Sequence, residues 1–322
     1  MLDFFVCANF YFVIEYQYYI LRMINLYWNS LNENLKTQYG CKVYKLSLSS
    51  GCSCPNRDKD NKNGCIFCDG AGAFAAVGSI DEQIKEAKWR VSKKLKGEVK
   101  YISYFQSFTN TYASPEYLRP LFMEAMKPDD VVALSVATRP DCLGNDILAL
   151  LDECNKIKPV WVELGLQTIH EETAKYIRRG YPLKTFDKAV KDLKNLGITV
   201  IVHQILGLPN ETPEQMAETS RYIGHSTADG IKLHLLHILK GTDLAKEWEQ
   251  GKVKTFTLDE YIKVLEKCVE SLPREMVIHR LTGDGAKKDL LAPLWSADKK
   301  RVLNSIHKAF LDDDVEQGRL YY

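Results

Sequence analysis

Short apolar runs recur along the chain, each followed by a longer stretch whose apolar positions fall three or four apart. The run at 42–49 (KVYKLSLS) alternates apolar and polar residues and reads as a strand. The runs at 98–105 (EVKYISYF), 130–138 (DVVALSVAT), 159–166 (PVWVELGL), 198–208 (ITVIVHQILGL) and 230–239 (GIKLHLLHIL) read as further strands. Between them the periodicity predicts helices over 79–97, 114–126, 144–156, 170–179 with 182–197, and 212–224. Ser79 stands where an N-cap belongs, with Glu82 three residues on to complete a capping box. Ser114-Pro115 is a second helix start. Helices over 257–272 and 296–311 flank a strand-like 275–282.

Strand and helix thus alternate six times, and most strands are continuous apolar runs, as when both faces of a parallel sheet are covered. No GxGxxG follows the first strand and no Walker loop is present, which disfavours a nucleotide-binding open sheet. The expected fold is α/β, a partial TIM-type (β/α)6 barrel over 41–240, with an amino-terminal segment at 1–40 and a carboxyl-terminal extension at 241–322 packed on the barrel. Its functional site belongs at the carboxyl ends of the strands, where the loop after the first strand emerges.

With 322 residues, 45% of them hydrophobic, the chain can bury a large core. A net charge of +1 gives no overall signal for nucleic acid, and no segment reads as a confident membrane span. Residues 1–22 are aromatic-rich but carry Asp3 and Glu15 and lack the pattern of a signal peptide; they read either as preceding a native start at Met23 or as an extra docking helix. Nine cysteines in a chain too large to need disulfides fit a reducing cytoplasm.

Four of those cysteines lie in one polar loop, Cys52, Cys54, Cys65 and Cys68. Cys65-x2-Cys68 can bring two thiolates to one metal centre from a single turn. All four could close a tetrahedral zinc site; three could hold an iron–sulfur cluster. Cys52 and Cys54 flank one residue and share a face if extended, so spacing leaves both readings open.

The loop, with Cys54-Pro55-Asn56-Arg57-Asp58 and Gly64-Cys65-Ile66-Phe67-Cys68, resembles that of the radical S-adenosylmethionine (SAM) enzymes. More narrowly, the chain is similar to a bacterial family related to the catalytic subunit of Elongator, through YFQSFTNTYA, TRPDCL, WVELGLQT, GLPNET, KLHLLHILKGT and HRLTGDG, from about Lys42 onward. The resemblance implies a radical SAM barrel whose Cys54, Cys65 and Cys68 hold a [4Fe–4S] cluster, leaving Cys52 aside and one iron open to SAM. Reductive cleavage of SAM then yields a 5′-deoxyadenosyl radical, with the electron from a flavodoxin or ferredoxin type donor. It further implies SAM contacts at Phe67, Gln106, Asn110, Gln167, Arg179 and His203, and substrate chemistry at His279, Arg280 and Asp284, to which Glu163 is added as a pocket residue on its own chemistry.

Plainer readings stand beside these. Gln167 could tie a turn, His203 could be a hydrogen-bonded core residue, and Arg178 and Arg179 could be solvated at a helix end. Glu163 is different, because a carboxylate inside an apolar strand needs a partner. His234 and His237 lie in opposite pleat phase, so only one should face the barrel. Cys142, Cys154 and Cys268 read as packing thiols. Lys85, Lys88, Arg90, Lys93, Lys94, Lys96 and Lys100 form a basic run, either a solvated face or a track for RNA phosphates. The resemblance makes tRNA the expected partner, with 5-carboxymethylaminomethyluridine trimmed to 5-aminomethyluridine; a small-molecule substrate such as a tetrapyrrole and a non-enzymatic zinc module are the competing readings.

Overall fold

The computed structural model describes residues 27–57, 64–70, 77–93, 97–283 and 288–322. The proposed start at Met23, the candidate Asp284, and Lys94 and Lys96 lie outside the described residues.

Seven strands form one parallel sheet, in chain order apart from a single skip. They are β1 (Lys42–Leu48), β2 (Val99–Phe105), β3 (Val131–Thr138), β4 (Val160–Gln167), β5 (Thr199–Leu206), β6 (Gly230–Leu235) and β8 (Val277–Arg280). The skipped β7 (Ile238–Leu239) instead pairs antiparallel with β9 (Leu290–Ala292). The expected (β/α)6 barrel is present, and the strand-like 275–282 adds a seventh strand to it, so part of the carboxyl-terminal extension belongs to the sheet. The 230–239 run breaks after Leu235 into β6 and β7.

Helices cover the outer face. They are α2 (Ile80–Ser92), α3 (Pro115–Met126), α4 (Asn145–Asn155), α5 (Glu171–Tyr176), α6 (Leu183–Asn195) and α7 (Pro213–His225), with α9 (Leu258–Glu270) and α10 (Lys299–Asp312) beyond and a short α8 (Asp243–Glu249) after β7. The Ser79–Glu82 capping box forms as expected, and Thr212 with Gln215 and Thr257 with Glu260 repeat it. Leu46, Phe105, Leu134, Val162, Leu164, Val202 and Leu233 point outward into the apolar layer beneath these helices. Cys154 and Cys268 are fully buried there, as packing thiols.

The helix missing from the sequence reading is α1 (Leu31–Tyr39), capped by Ser30. It touches both β1 and β8, the two edges of the sheet. The curled sheet is therefore closed by a helix rather than by an eighth strand. Leu35 enters the barrel from that side and packs with Ile102, Ala133, Trp161 and Ile201. This apolar plug seals the amino end of the barrel and leaves the interior open toward the carboxyl ends.

Candidate active site

Alternation along each strand sends every second side chain inward. Above the plug, each of the first six strands contributes one polar residue to a single network: Lys45, Tyr104, Ser135, Glu163, His203 and Lys232. Glu163, with its side chain fully buried, is its centre. Lys45 Nζ and Ser135 Oγ donate to Oε1 at 2.7 and 2.9 Å. The Tyr104 hydroxyl donates to Oε2 at 2.8 Å, His203 Nε2 lies 2.8 Å from the same oxygen, and Lys232 also pairs with it. Lys232 donates as well to the Tyr104 hydroxyl at 3.0 Å. Burial opposes ionisation of Glu163, but the two ammonium groups outweigh it and hold the carboxyl well below its usual range. Burial and the Lys232 charge push His203 down to about 4, so its imidazole is neutral at pH 7. The partner that a carboxylate in an apolar strand required is a whole ring of strands.

The seventh strand adds two groups. Register slips between Ile231 and Lys232, so Arg280 rather than His279 pairs with Lys232. His279 packs against the Trp161 ring at 5.6 Å, and the Arg280 charge acts on Tyr104, His203 and His234. The two candidates from HRLTGDG thus reach the floor together. Of the pair in opposite phase, His234 is the one on the inner face, with its ring 5.0 Å from that of His203.

Above this floor lies a cavity of about 310 Å³ whose lining includes Glu163 and His203 below and Cys54, Cys65 and Cys68 at the rim. The cysteine loop is stitched into place on both sides. The Ile66 amide donates to the Ile177 carbonyl at 3.3 Å, and the Leu244 amide to the Ile66 carbonyl at 2.9 Å. Asn56 donates to the Arg178 carbonyl at 2.6 Å and to Cys65 Sγ at 3.4 Å. Arg57 crosses the loop to the Cys68 carbonyl; Gly70, at φ 70°, lies so close to the guanidinium that a Cβ there would come within 2.4 Å of it. Both residues stand in the quoted motif, yet their bracing roles needed the folded loop to be seen.

Cys52 takes another course. It is buried in the apolar layer outside the sheet and does not line the cavity. A four-thiolate zinc site is therefore not formed, and among the described residues no three His, Cys, Asp or Glu groups converge on a single ion. The three facing thiols fit a larger centre. Burial pushes the Cys65 thiol up, and the neighbouring Cys68 and Cys54 charges push it further. A metal centre bound there would offset that rise by stabilising the thiolate. Gly165 occupies an inward position on β4 where a side chain would fill the cavity. The Tyr181 hydroxyl donates to its carbonyl.

The remaining expected contacts divide. Phe67, Gln106, Gln167, His203 and Arg179 all line the cavity. Gln167 does so from the left-handed region, φ 70°, a conformation costly for any residue but glycine, asparagine or aspartate. Asn110 does not line it: it is fully buried, its amide donating to the Phe105 and Ala137 carbonyls and its oxygen accepting from Ser50. Arg179 is 2% exposed, and its guanidinium is largely spent on the carbonyls of Tyr181 and Thr168 and on Glu171. The guanidinium overlooked in the sequence is Arg139, from TRPDCL. It lines the cavity, is held by Asp141 through bonds of 2.9 and 2.7 Å, lies 5.2 Å from the Tyr181 ring centre, and feels the Cys54 and Cys65 charges. Its one sequence signal was a TRPD turn directly after a barrel strand.

The pattern of the radical SAM superfamily matches residues 53–223, and that of the radical SAM C-terminal domain matches 228–311. The chain belongs to the radical SAM superfamily. Radical SAM enzymes use a [4Fe–4S] cluster and SAM, and both are cofactors of this protein. The chain is 41% identical over 299 residues to the protein YtqA of Bacillus subtilis (strain 168), covering 91% of this chain and 92% of that one. It is 28% identical over 174 residues to the tRNA uridine(34) acetyltransferase of Methanocaldococcus jannaschii, covering 51% of this chain and 32% of that protein. Its fold is similar to that of the archaeal Methanocaldococcus infernus Elp3 lacking residues 1–46, with a TM-score of 0.65, 18% identity, and coverage of 85% of this chain and 64% of that one. Among the described residues no helix of this radical SAM protein is long and apolar enough to cross a membrane.

On the basic helix three of the cations have carboxylate partners. Lys85 and Arg90 pair with Asp81 and Glu86 on α2 itself. Lys88 pairs with Asp130, just ahead of β3, at the amino ends of the strands. Those cations are matched, and Lys88 points away from the cysteine rim.

Proposed function

We propose that this chain is a radical SAM enzyme acting on the wobble uridine of tRNA, trimming the carboxymethyl group of 5-carboxymethylaminomethyluridine to leave 5-aminomethyluridine. The observation that carries the chemistry is that Cys54, Cys65 and Cys68 face one cavity at the strand ends while Cys52 turns into the core. In this reading the three thiolates would hold the cluster, and the bound cofactors would supply a 5′-deoxyadenosyl radical that takes a hydrogen atom from the carboxymethyl carbon bonded to nitrogen; loss of one more electron, back to the cluster, and addition of water would break the carbon–nitrogen bond, releasing the two carbons as glyoxylate and leaving the amine. The tRNA assignment is supported by the tRNA uridine(34) acetyltransferase among the relatives.

The chain's own residues would divide the work by height in the chamber. Arg139, poised by Asp141 and Tyr181, would meet the SAM carboxylate, a fitting match for a guanidinium. Phe67, Gln106 and Gln167 would line the adenosine, with Gly165 leaving the space for it. Asn110 and most of Arg179 would hold the walls. Glu163, His203, His279 and Arg280 would form the floor beneath the reacting carbon; Asp284 remains a candidate from the sequence alone. The target base would have to leave its stack to enter. A flavodoxin or ferredoxin would deliver the electron.

The test is nucleoside analysis of tRNA from a strain lacking the gene. Accumulation of 5-carboxymethylaminomethyluridine with loss of 5-aminomethyluridine and its derivatives is expected; unchanged wobble uridines reject the tRNA assignment and leave a small-molecule substrate as the reading to pursue.

A further inference from the structure

We infer that the polar floor of the barrel is a receptor for a carboxylate carried by the substrate. This rests on the reading of the chamber as a substrate-holding radical SAM site and deepens it by naming the group that the floor receives.

The first observation is a charge imbalance. Lys45 and Lys232 both pair with Glu163, and among the described residues neither ammonium has a second carboxylate. Two cations sharing one anion in a space screened from water leave net positive charge, which is costly until a further anion arrives. Arg280 adds its field from β8. Burial, together with Lys45 and Arg280, pushes Lys232 down to about 7, despite its contact with Glu163. An arriving anion would restore its full charge.

The second observation is independent of charge. His234 Nε2 and His279 Nδ1 are buried and have no hydrogen-bond partner. Burial keeps both rings neutral, so each has a nitrogen able to donate or accept according to its tautomer. Buried polar atoms of this kind are normally satisfied, and an orphan needs an explanation. Here the orphans adjoin the cations. Lys45 is the strongest charge felt by His279, and both lie against the Trp161 ring, at 5.3 and 5.6 Å.

The third observation is access. Glu163 and His203 belong to the network and also line the cavity below the cysteine rim. The Lys45 side chain is 20% exposed, whereas Glu163 is sealed. A group entering past the cofactors therefore meets the His203 imidazole and Glu163, which among the described residues is the network's one carboxylate and is already engaged by both ammonium groups.

The experiment uses two anticodon stem-loop RNAs, one carrying 5-carboxymethylaminomethyluridine and one with that carboxylate replaced by the carboxamide. Binding is measured anaerobically with the cluster- and SAM-loaded protein. The wild type should bind the acid RNA at least ~10-fold more tightly than the amide, since only the acid neutralises the floor. In Lys45→Met and Lys232→Met the ratio should fall to within ~2-fold, and Lys45→Arg should recover it. Equal binding of acid and amide RNA by the wild type overturns the receptor while sparing the tRNA assignment. Because this comparison needs no variant, a misfolded mutant cannot obscure it. A second probe, N-methylglycine, separates the two ideas: it should alter the fluorescence of the wild type, and the change should vanish in Trp161→Phe and in Lys45→Met. If it does so while neither RNA binds, the receptor stands and the tRNA assignment falls. If neither the acid RNA nor N-methylglycine discriminates wild type from Lys45→Met, the receptor falls.

Discussion

At the rim of the chamber, Cys54, Cys65 and Cys68 come from one loop, braced by Asn56 and Arg57 of the same loop. On the floor, Lys45, Tyr104, Ser135, Glu163, His203 and Lys232 come one each from six strands. The rim can therefore be altered without disturbing the sheet, whereas the floor is a joint between all of its strands. One cavity connects the two.

The largest expected effect separates these roles at the rim. Cys65→Ala should lower cluster absorbance and deoxyadenosine formation at least ~100-fold, since a ligand loss exceeds the usual effect of disturbing a ligand's support. Cys52→Ala should keep both. A cluster lost equally in Cys52→Ala would break the comparison. On the floor, Glu163→Gln leaves two buried ammonium groups without their anion and should cost ~3–5 kcal/mol by chemical denaturation. Iron binding at the rim should survive where the variant is folded.

Acid should act on the floor first. His203 binds its proton at about 4 in the folded chain and near 6.5 unfolded, so between those values the unfolded state holds more protons. The His203 contribution should be fully present above pH 6.5 and be lost as pH falls toward 4, by about 3 kcal/mol. Glu163, also held low, should extend the loss below its unfolded value near pH 4.5. His203→Gln should flatten the upper part of that slope; an unchanged slope would remove His203 from the account. Smaller still, Gln167→Gly should relieve the φ 70° backbone and stabilise by ~1 kcal/mol while weakening SAM binding, because glycine has no side chain to face the cavity. Ser79→Ala, on the outer capping box, should cost ~1 kcal/mol and leave both rim and floor untouched.

How much could be seen beforehand follows from the same contrast. Three of the rim's residues are neighbours in sequence, so Cys65-x2-Cys68 with Cys54 announces itself as a metal clamp. Glu163 stood out because a charge interrupted an apolar strand, but Lys45 and Lys232 did not, since a lysine in a run that alternates polar and apolar residues is ordinary. Arg179 and Asn110 were read as cofactor contacts, yet backbone groups nearby claim most or all of their hydrogen bonds. Arg139 was passed over because a turn arginine has no sign of what it will face. Helix α1 was missed because nine residues with one buried leucine leave little periodic signal.

By itself the sequence determined the alternation of strands and helices, their caps, and three thiols in one loop, because these depend on residues within a few positions of each other. Only the tertiary structure decided that Cys52 turns away, that α1 closes the curled sheet, and that six strands aim one polar side chain each at Glu163. Those outcomes depend on strand register and curvature, which bring together groups as far apart in sequence as Lys45 and Lys232, 187 positions (232 − 45), and no local pattern encodes where such distant side chains meet.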